Sequence, residues 1–485
     1  MPEARDLTGL RTDSLAHLDA RIGIPSYDRQ ALGGGIVHIG VGGFHRAHQA
    51  EYLDDLCAQG LTSWSITGVG ILASDAAMAA ALHEQDCLYT VISRSSDATD
   101  VRVIGSITTY EHSYPEHTTL ARRIADPTTK VVSLTITEGG YPVSLDTGEP
   151  TGERSATFAA IAEGLEIRRL NGSGPISVLS CDNIIHNGRA ARSATLAAAE
   201  DSDGPLAAWI ASEVAFPSTM VDRITPATTE ADRVFLQDEY GLKDLWPVVT
   251  EPFRQWVIED TFAVERPPWE DAGALMTSDV MPYELLKLRI LNAGHSVLAY
   301  LAALDRQVYV HDVVSDPTFE RFLQQFLDRE ATPALPSVPG IDIEAYKRTV
   351  IERFSNPEIQ DQIARLCLDG SSKFPTFLIP TIESQLAEGR SIDLSMLALA
   401  GWCQYLLGRD DSGAEIELAA DPNLDRARLY ARSSLQDPAS FLDFDFVFPA
   451  SIRTSSVARD SFADALRSLR TRGTRASIDE RVARA

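Results

Sequence analysis

The chain has 485 residues, more than the ~100–200 of one typical domain, so at least two domains are expected. Its 69 acidic and 43 basic residues give a formal net charge of −26, which argues against nucleic acid and anionic membrane surfaces as partners. Five dispersed cysteines argue against a disulfide framework, and no secretory signal or transmembrane run is evident, so a cytoplasmic protein is expected.

Short β-rich runs alternate with helical stretches in the first half of the chain. The predicted strands span residues 36–41, 64–71, 131–136 and 176–180, and the predicted helices span residues 44–59 and 75–83. This alternation is typical of an α/β domain with a mainly parallel sheet. Beyond about residue 282 the apolar residues recur at helical spacing, with predicted helices at residues 318–327, 359–366, 382–388 and 395–407.

The first chemical signal is the glycine-rich segment IVHIGVGGFHRAHQ, which follows the first predicted strand. Its glycines would let the backbone approach a pyrophosphate, and a helix beginning near Phe44 would offer N–H groups to it. His45 stands where a third glycine usually allows close packing, so a purely structural turn is an alternative. If the segment binds a dinucleotide, the expected contacts are Ile39, Gly40, Val41, Gly42, Gly43, Phe44, His45 and Arg46.

Asp75, which follows the second predicted strand, is the candidate for binding the ribose hydroxyls of that dinucleotide. Its structural alternative is the N-cap of the helix that follows. An acidic side chain there would repel the 2′-phosphate of NADP and favours NAD. The neighbouring Ser74 adds no second negative charge, so the discrimination against NADP is expected to be incomplete.

The most informative segment is YELLKLRILNAGHS, which begins at Tyr283. On a regular helix, Glu284 and His295 lie within about 80° of Lys287, and Asn292 lies about 140° from it, so all four share one arc. Such a stripe commonly faces solvent, but an amine, an amide and an imidazole together favour a catalytic role. The YxxxK spacing of Tyr283 and Lys287 also matches short-chain dehydrogenases, an interpretation that we reject because those chains are much shorter.

Other polar residues cluster in SCDN at residues 180–183, VDR at 221–223 and DGSSK at 369–373. The first cluster lies where ligands bind in open α/β sheets, beyond the carboxyl ends of the strands. The structural alternatives are a turn-capping amide for Asn183 and a local ion pair for Asp222. His45 and His48 have no third ligand nearby in the sequence, so we expect them to pack or hydrogen-bond, and no metal site is predicted.

Seven motifs, in order between residues 39 and 375, resemble those of the polyol-specific long-chain dehydrogenases and reductases, and within that family those of mannitol 2-dehydrogenases. They are IGVGGFHRAHQ, SLTITEGGY, SCDNIIHNG, PSTMVDRITP, EPFRQWVIED, KLRILNAGHS and DGSSKFP. The resemblance implies an N-terminal Rossmann-type, NAD-binding domain over residues 1–280. It also implies a mostly α-helical substrate and catalytic domain over residues 281–485 and chemistry without zinc. The sequence leaves the oligomeric state open, with a monomer slightly favoured.

The resemblance also implies roles for individual residues. Those that match the family's catalytic residues are Lys287, Asn292, His295 and Asn183. Those that match its substrate contacts are Asp222, Arg365 and Lys373. Glu284 matches a glutamate implicated in proton passage, and Ser74 and Asp75 match a cofactor-selecting acidic pair in which serine here replaces one acid.

The implied reaction is the NAD-dependent oxidation of a secondary alcohol of a polyol, with D-mannitol and D-fructose as the pair. Reduction of fructuronate or tagaturonate and oxidation of D-arabinitol or D-sorbitol are alternatives within the family. Gly139 favours a neutral polyol, because the sugar-acid reductases often carry lysine there. A non-catalytic NAD-binding sensor is an alternative of another class, and the intact Lys/Asn/His set argues against it.

Overall fold

The computed structural model describes residues 7–144, 151, 155–200 and 204–484. The chain divides into two compact units, Met1–Met281 and Pro282–Ala485. The first unit is an α/β domain and the second is almost entirely helical, which confirms the predicted fold class. The assignment of NAD binding to residues 1–280 and of catalysis to residues 281–485 stays a prediction.

The first unit is built on strands that alternate with helices. The strands are β1 (Thr8–Gly9), β2 (Gly35–Ile39), β3 (Ser65–Gly70), β4 (Tyr89–Arg94), β5 (Thr99–Ile104), β6 (Ile107–His112), β7 (Val131–Leu134), β8 (Ile176–Ser180), β9 (Val214–Ala215), β10 (Thr219–Asp222), β11 (Leu242–Lys243), β12 (Val248–Thr250), β13 (Gln255–Glu259) and β14 (Leu275–Thr277). The helices are α1 (Gly43–Arg46), α2 (Gln49–Ala58), α3 (Asp75–Glu84), α4 (Thr118–Ala125), α5 (Ala156–Asn171), α6 (Asn187–Glu200), α7 (Gly204–Glu213) and α8 (Glu230–Tyr240).

Among the described residues, six strands form one parallel sheet in the order β6-β3-β2-β7-β8-β9. Alternate residues of its central strand enter separate cores: Ile36 packs into one, and Val37 and Ile39 into the other. Burial on both faces explains why these strands are continuous runs of β-branched residues. The chain leaves β2 in one direction and returns beside it at β7, so the carboxyl ends of these two strands flank a topological switch point.

The predicted helix over residues 44–59 is wrong in one respect, because the structure breaks it at Ala47 and His48 into α1 and α2. The carbonyl oxygen of Ala47 accepts a hydrogen bond from the guanidinium of Arg223 instead of from a helical N–H. His48 leaves helical geometry, with φ −130° and ψ −89°. A contact with a residue far along the chain therefore ends the first helix.

The second unit packs its helices around α10 and α17, which are almost wholly buried. Its helices are α9 (Met281–Leu286), α10 (Ala293–Leu304), α11 (Val310–Ser315), α12 (Pro317–Phe326), α13 (Ile343–Phe354), α14 (Ile363–Leu366), α15 (Gly370–Phe377), α16 (Ile379–Ala387), α17 (Asp393–Tyr405), α18 (Leu424–Ser433), α19 (Ala450–Arg453), α20 (Ser456–Arg472) and α21 (Thr474–Arg484). Two π-helical turns, at Lys287–Asn292 and Leu327–Ala331, occur in the described part of this unit. No described helix is long and apolar enough to cross a bilayer.

Candidate active site

The glycine turn lies at the switch point, directly after β2. Gly40 has φ +87°, and a Cβ there would lie 2.3 Å from the carbonyl oxygen of Thr135, which follows β7. The Thr135 hydroxyl donates to the Gly40 carbonyl oxygen at 2.7 Å, so the two strand ends are held in close approach. A Cβ on Gly42 or Gly43 would meet nothing closer than 3.5 Å. The space in front of α1 therefore fits the pyrophosphate of a dinucleotide.

His45, the predicted departure from the glycine pattern, is fully buried. Its ring stacks on that of His38 in β2 with 3.3 Å between the centroids, and so fills the space that a third glycine would leave. Burial lowers the pKa of His45 well below its usual value and that of His38 to about 3. The side chain of Arg46 donates to the carbonyl oxygen of Trp246, and His48 hydrogen-bonds the Gln255 carbonyl, as expected for a packing histidine.

Asp75 is the first residue of α3, and its carboxylate turns back toward the end of β3. One oxygen accepts the backbone N–H groups of Ile71 and Leu72, both at 2.9 Å. The preceding Ser74 is exposed and its hydroxyl makes no capping hydrogen bond. The acidic side chain is therefore fixed beside the turn that follows β3, the position from which ribose hydroxyls are bound in this class of fold.

Asn183 and Asp222 lie at the ends of two strands of the first unit, β8 and β10. Asn183 lies just after β8 with an exposed side chain. Asp222 is the last residue of β10, is 4% exposed, and pairs with Gln255 across the antiparallel ladder to β13. Asn183 therefore stands at the carboxyl end of a strand of the parallel sheet, where open α/β domains bind their ligands, whereas Asp222 ends a strand of a separate three-stranded sheet.

Lys287 and Asn292 begin and end a π-helical turn in the second unit. The N–H of Ala293 reaches the carbonyl of Leu288, five residues back, instead of four as in an α-helix. The extra residue in the turn rotates Asn292 from about 140° to about 40° from Lys287. The prediction of a regular helix through this segment is therefore wrong.

The polar groups on this helix face are unusual for a buried surface. Lys287 and Glu284 are 8% and 5% exposed. The amide oxygen of Asn292 and Nε2 of His295 are buried and have no hydrogen-bond partner among the described residues. Buried polar atoms are nearly always hydrogen-bonded, so these two are candidates for hydrogen bonds to a polar ligand. By contrast, the Tyr283 hydroxyl donates to the carbonyl of Pro339 at 2.9 Å, a structural role.

The structure brings His295 together with Arg365 and Lys373, which were separate in the sequence. The His295 ring stacks on Phe354 at 3.9 Å between centroids. Burial lowers the pKa of His295 to about 3, with smaller opposing effects from the negative charge of Asp361 and the positive charges of Arg365 and Lys373. Burial and the neighbouring Arg365 also lower the pKa of Lys373. Arg365 itself forms a bidentate ion pair with Asp361 through its Nε and Nη2 atoms.

Asn187 and Tyr141 were not singled out from the sequence, and Asp182 was named there only as a member of the SCDN cluster. All three are buried. The Tyr141 hydroxyl donates to the Asp182 carboxylate, and the Asn187 side-chain amide donates to the Asp182 carbonyl oxygen. Asp182 and Asn187 belong to the SCDNIIHNG motif, so their presence in that motif was the available signal. Among the described residues, no three histidine, cysteine or carboxylate side chains are grouped as ligands of a metal ion would be.

Two family models match the chain. The mannitol dehydrogenase Rossmann domain matches residues 34–271, and the mannitol dehydrogenase C-terminal domain matches residues 279–470. Mannitol 2-dehydrogenase of Aspergillus fumigatus is 42% identical over 454 residues, which cover 90% of this chain and 90% of the relative. Mannitol dehydrogenase 2 of Saccharomyces cerevisiae is 39% identical and covers 98% of this chain and 97% of its own length.

Solved structures give the same result. The ternary complex of Pseudomonas fluorescens mannitol 2-dehydrogenase with NAD and D-mannitol has a TM-score of 0.88 and 39% identity, and covers 99% of this chain and all of that one. A D-sorbitol dehydrogenase in substrate-free form has a TM-score of 0.88 and 33% identity, over 97% of this chain and 100% of its own. The chain described here therefore belongs to the mannitol dehydrogenase family.

Proposed function

We propose that this chain is an NAD-dependent polyol dehydrogenase that oxidises a secondary alcohol without zinc, with D-mannitol and D-fructose as the substrate and product. The chain is similar to mannitol dehydrogenases over nearly the whole length of those relatives. One of the similar structures is a complex with NAD and D-mannitol. The observation that carries the proposal is the helix face on which Asn292 and His295 keep buried, unpartnered polar atoms beside Lys287.

The glycine turn and Asp75 are the proposed NAD-binding residues. The main-chain groups of residues 39–46 would hold the pyrophosphate, since the side chains of His45 and Arg46 are committed to His38 and Trp246. Asp75 would bind the adenosine ribose through the oxygen that does not cap residues 71 and 72. When bound, NAD supplies the hydride acceptor of the reaction.

Lys287 is the proposed general base. A secondary alcohol must lose the proton on its oxygen as the hydride leaves its carbon, and a neutral amine within hydrogen-bond reach can accept that proton. Arginine could not replace it, because a guanidinium stays protonated. The chain has only five lysines among 43 basic residues, so a lysine here is consistent with a chemical requirement.

Asn292 and Asn183 are the proposed donors to the substrate oxygen. Their amide N–H groups would stabilise the negative charge that develops on that oxygen, as the donors of an oxyanion hole do. His295, Asp222, Arg365 and Lys373 would orient the other hydroxyls, and Glu284, buried three residues before Lys287, would pass the proton onward. In ketose reduction the same groups act in reverse, with protonated Lys287 as the general acid.

The test is Lys287→Ala, followed by NADH absorbance with D-mannitol and by direct NAD binding. Removal of a general base is expected to lower kcat by about 10²–10⁴-fold and to leave NAD affinity unchanged. Lys347→Ala is the matched control, because Lys347 is a buried lysine of the same unit that pairs with Asp328 and Glu344. Near-normal turnover by Lys287→Ala would overturn the assignment.

A substrate panel separates the alternatives. D-mannitol, D-sorbitol, D-arabinitol and the reverse substrates D-fructose, fructuronate and tagaturonate are each tested with NAD(H) and NADP(H). The proposal requires D-mannitol and D-fructose to give the highest kcat/KM. One of the similar structures is a D-sorbitol dehydrogenase, so a higher kcat/KM with D-sorbitol would reassign the substrate. Tight NAD binding without any turnover would indicate a sensor.

A further inference from the structure

The loop after β8 holds Asn183 in an unusual way: its side chain is exposed, while the residues around it are buried. Asp182 is 6% exposed and Asn187 is not exposed at all. The peptide between Asp182 and Asn183 is fixed, because the Asp182 carbonyl accepts the Ile184 N–H at 2.9 Å and the Asn187 amide at 3.0 Å. We propose that Asp182 and Asn187 are positioning residues that hold Asn183 in the orientation that polyol oxidation requires.

The Asp182 side chain joins this loop to the segment that follows β7. One carboxylate oxygen accepts the backbone N–H of Thr137 at 2.7 Å. The other oxygen accepts the Tyr141 hydroxyl at 2.6 Å. Charge-assisted hydrogen bonds to a buried carboxylate are strong and directional, so the two strand-end segments move as one.

Asn187 joins the same loop to β10. Its amide nitrogen donates to the Thr219 carbonyl at 2.8 Å, and its amide oxygen accepts the Thr219 N–H at 2.9 Å. The Thr219 hydroxyl donates to the Ser180 carbonyl at 2.7 Å, which closes the link at the end of β8. Because β10 runs from Thr219 to Asp222, this link also sets the distance between Asn183 and the proposed substrate contact Asp222.

Backbone strain at Thr137 supports a functional reason for this anchoring. Thr137 has φ +63° and ψ 167°, a conformation that is essentially restricted to glycine and is especially unfavourable for a β-branched residue. The surrounding structure must hold such a residue in place, and the bond from its N–H to Asp182 does so. Strained residues of this kind concentrate at active sites, where they fix geometry.

The proposal rests on the proposed function, in which Asn183 donates to the reacting oxygen. A donor stabilises the transition state only if it points at the developing charge, and a displacement of about 1 Å costs about 10²-fold in rate. The direction in which the Asn183 side chain leaves the chain is set by its backbone. Asp182 and Asn187 hold that backbone through the hydrogen bonds to the Asp182 carbonyl and carboxylate.

The experiment compares Asp182→Ala, Asn183→Ala and the double variant in the full-length chain. Asp182→Ala is expected to lower kcat by about 10²-fold, while the affinity for NAD and the KM for NAD change by less than about twofold. The double variant should be no slower than Asn183→Ala alone, because a residue that acts only through Asn183 has no effect once Asn183 is gone. Asp182→Asn, which keeps an oxygen to accept the Thr137 N–H, should recover most of the lost kcat.

Two further variants keep the result interpretable. Tyr141→Phe removes one bond to Asp182 and keeps the ring that packs on Phe158, so it should fold and show a smaller loss of kcat. Asp244→Ala is the matched control, since Asp244 is a buried carboxylate of the same unit that binds the Thr90 N–H, and it should lower the Tm without lowering kcat.

The outcomes separate this proposal from the proposed function. If Asn183→Ala retains normal kcat, the role of Asn183 in the proposed function fails. If Asn183→Ala is slow but Asp182→Ala and Tyr141→Phe are normal, only the positioning role is overturned. Multiplicative losses in the double variant, or a loss of kcat in Asp182→Ala that merely follows its Tm as in Asp244→Ala, would also overturn it.

Discussion

Two groups of candidate site residues, one in each unit, are held in opposite ways. We call Asp182, Asn183, Asn187 and Asp222 of the first unit the strand-end group, and Lys287, Asn292 and His295 of the second unit the helix group. Asp182 and Asn187 are buried and make several hydrogen bonds to the backbone. In the helix group, buried atoms of Asn292 and His295 have no partner among the described residues.

This difference separates scaffold from chemistry. A buried polar atom without a partner costs about 1–3 kcal/mol, a cost that a ligand's hydroxyl groups would offset. A buried polar atom with all its partners instead stabilises the fold and loses that contribution when it is removed. Changes to the supporting residues of the strand-end group should therefore lower stability as well as turnover, whereas changes to the helix group should lower turnover and leave stability intact.

The largest effect is expected from Gly40→Ala. The added Cβ would lie 2.3 Å from the Thr135 carbonyl oxygen at a φ of +87°, so the end of β2 must move away from β7. We expect a loss of about 4 kcal/mol in the free energy of unfolding and no measurable NAD binding. Urea unfolding and NAD titration measure the two effects.

Gly139→Ala is the control for this change. A Cβ on Gly139 would meet nothing within 4 Å, and the residue lies in the same region of the first unit. Its stability and NAD affinity should stay close to those of the parent. Equal behaviour of the two alanine variants would show that the close approach of the strand ends is not what makes Gly40 necessary.

Asn292→Ala should separate turnover from stability. Loss of one donor to a developing oxyanion lowers kcat by about 10²–10³-fold. The Tm should be unchanged or higher, because the variant removes a buried amide oxygen that has no partner in the described part of the chain. Stopped-flow rates and thermal unfolding of the same preparation measure both quantities.

Asn187→Ala is the counterpart from the strand-end group. It leaves the buried N–H and carbonyl of Thr219 without their partner, and so should lower the free energy of unfolding by about 2–3 kcal/mol. If Asn292→Ala were the less stable of the two variants, the distinction between scaffold and chemistry would fail.

Sequence patterns predicted the parts of this molecule that depend on local order. The runs at residues 36–41 and 176–180 correspond to β2 and β8 because burial on both faces selects continuous β-branched residues. The glycine turn was predicted from an equally local signal. Gly40 adopts a positive φ, a backbone conformation that glycine favours and that the sequence therefore indicates directly. The resemblance of seven motifs then identified the family, which the comparisons confirm.

Features that depend on distant residues could not be predicted. The break between α1 and α2 is caused by Arg223, which lies 176 residues from Ala47. The role of Asp182 depends on Thr137 and Tyr141, which lie 45 and 41 residues away. The π-helical turn has no pattern of its own, because an inserted residue leaves the apolar spacing on either side intact.

Acidification should act on two buried side chains, one in each unit, in opposite directions. Burial lowers the pKa of His38 from 6.5 to about 3, so only the unfolded chain binds this proton and stability falls by about 2 kcal/mol between pH 6.5 and 5. Burial raises the pKa of Glu330 from 4.5 to about 7, so only the native chain holds that proton between these values. Its contribution is fully present below pH 4.5 and falls by about 3 kcal/mol as the pH rises to 7.

Urea unfolding of His38→Asn and Glu330→Gln between pH 4.5 and 7.5 measures these slopes. The stability of His38→Asn should depend less on pH below 6.5 than that of the parent chain. Glu330→Gln should lose the decline in stability toward neutral pH. Curves that run parallel to the parent at every pH would contradict both assignments.

The smallest effect concerns cofactor choice and tests whether it can be changed without disturbing the helix group. Ser74 is exposed and caps nothing, so Ser74→Glu should not perturb the fold. A second negative charge beside Asp75 would repel the 2′-phosphate of NADP by about 1 kcal/mol, a loss of about fivefold in kcat/KM for NADP. Added salt should weaken the effect, because the charges are exposed to solvent. Ser74→Gln, similar in size but neutral, should show no such discrimination. The kcat with saturating NAD should stay unchanged in both variants, because the proposed base Lys287 lies in the second unit. An equal loss with NAD and NADP would mean that residue 74 affects binding of the common part of the two cofactors and not the choice between them.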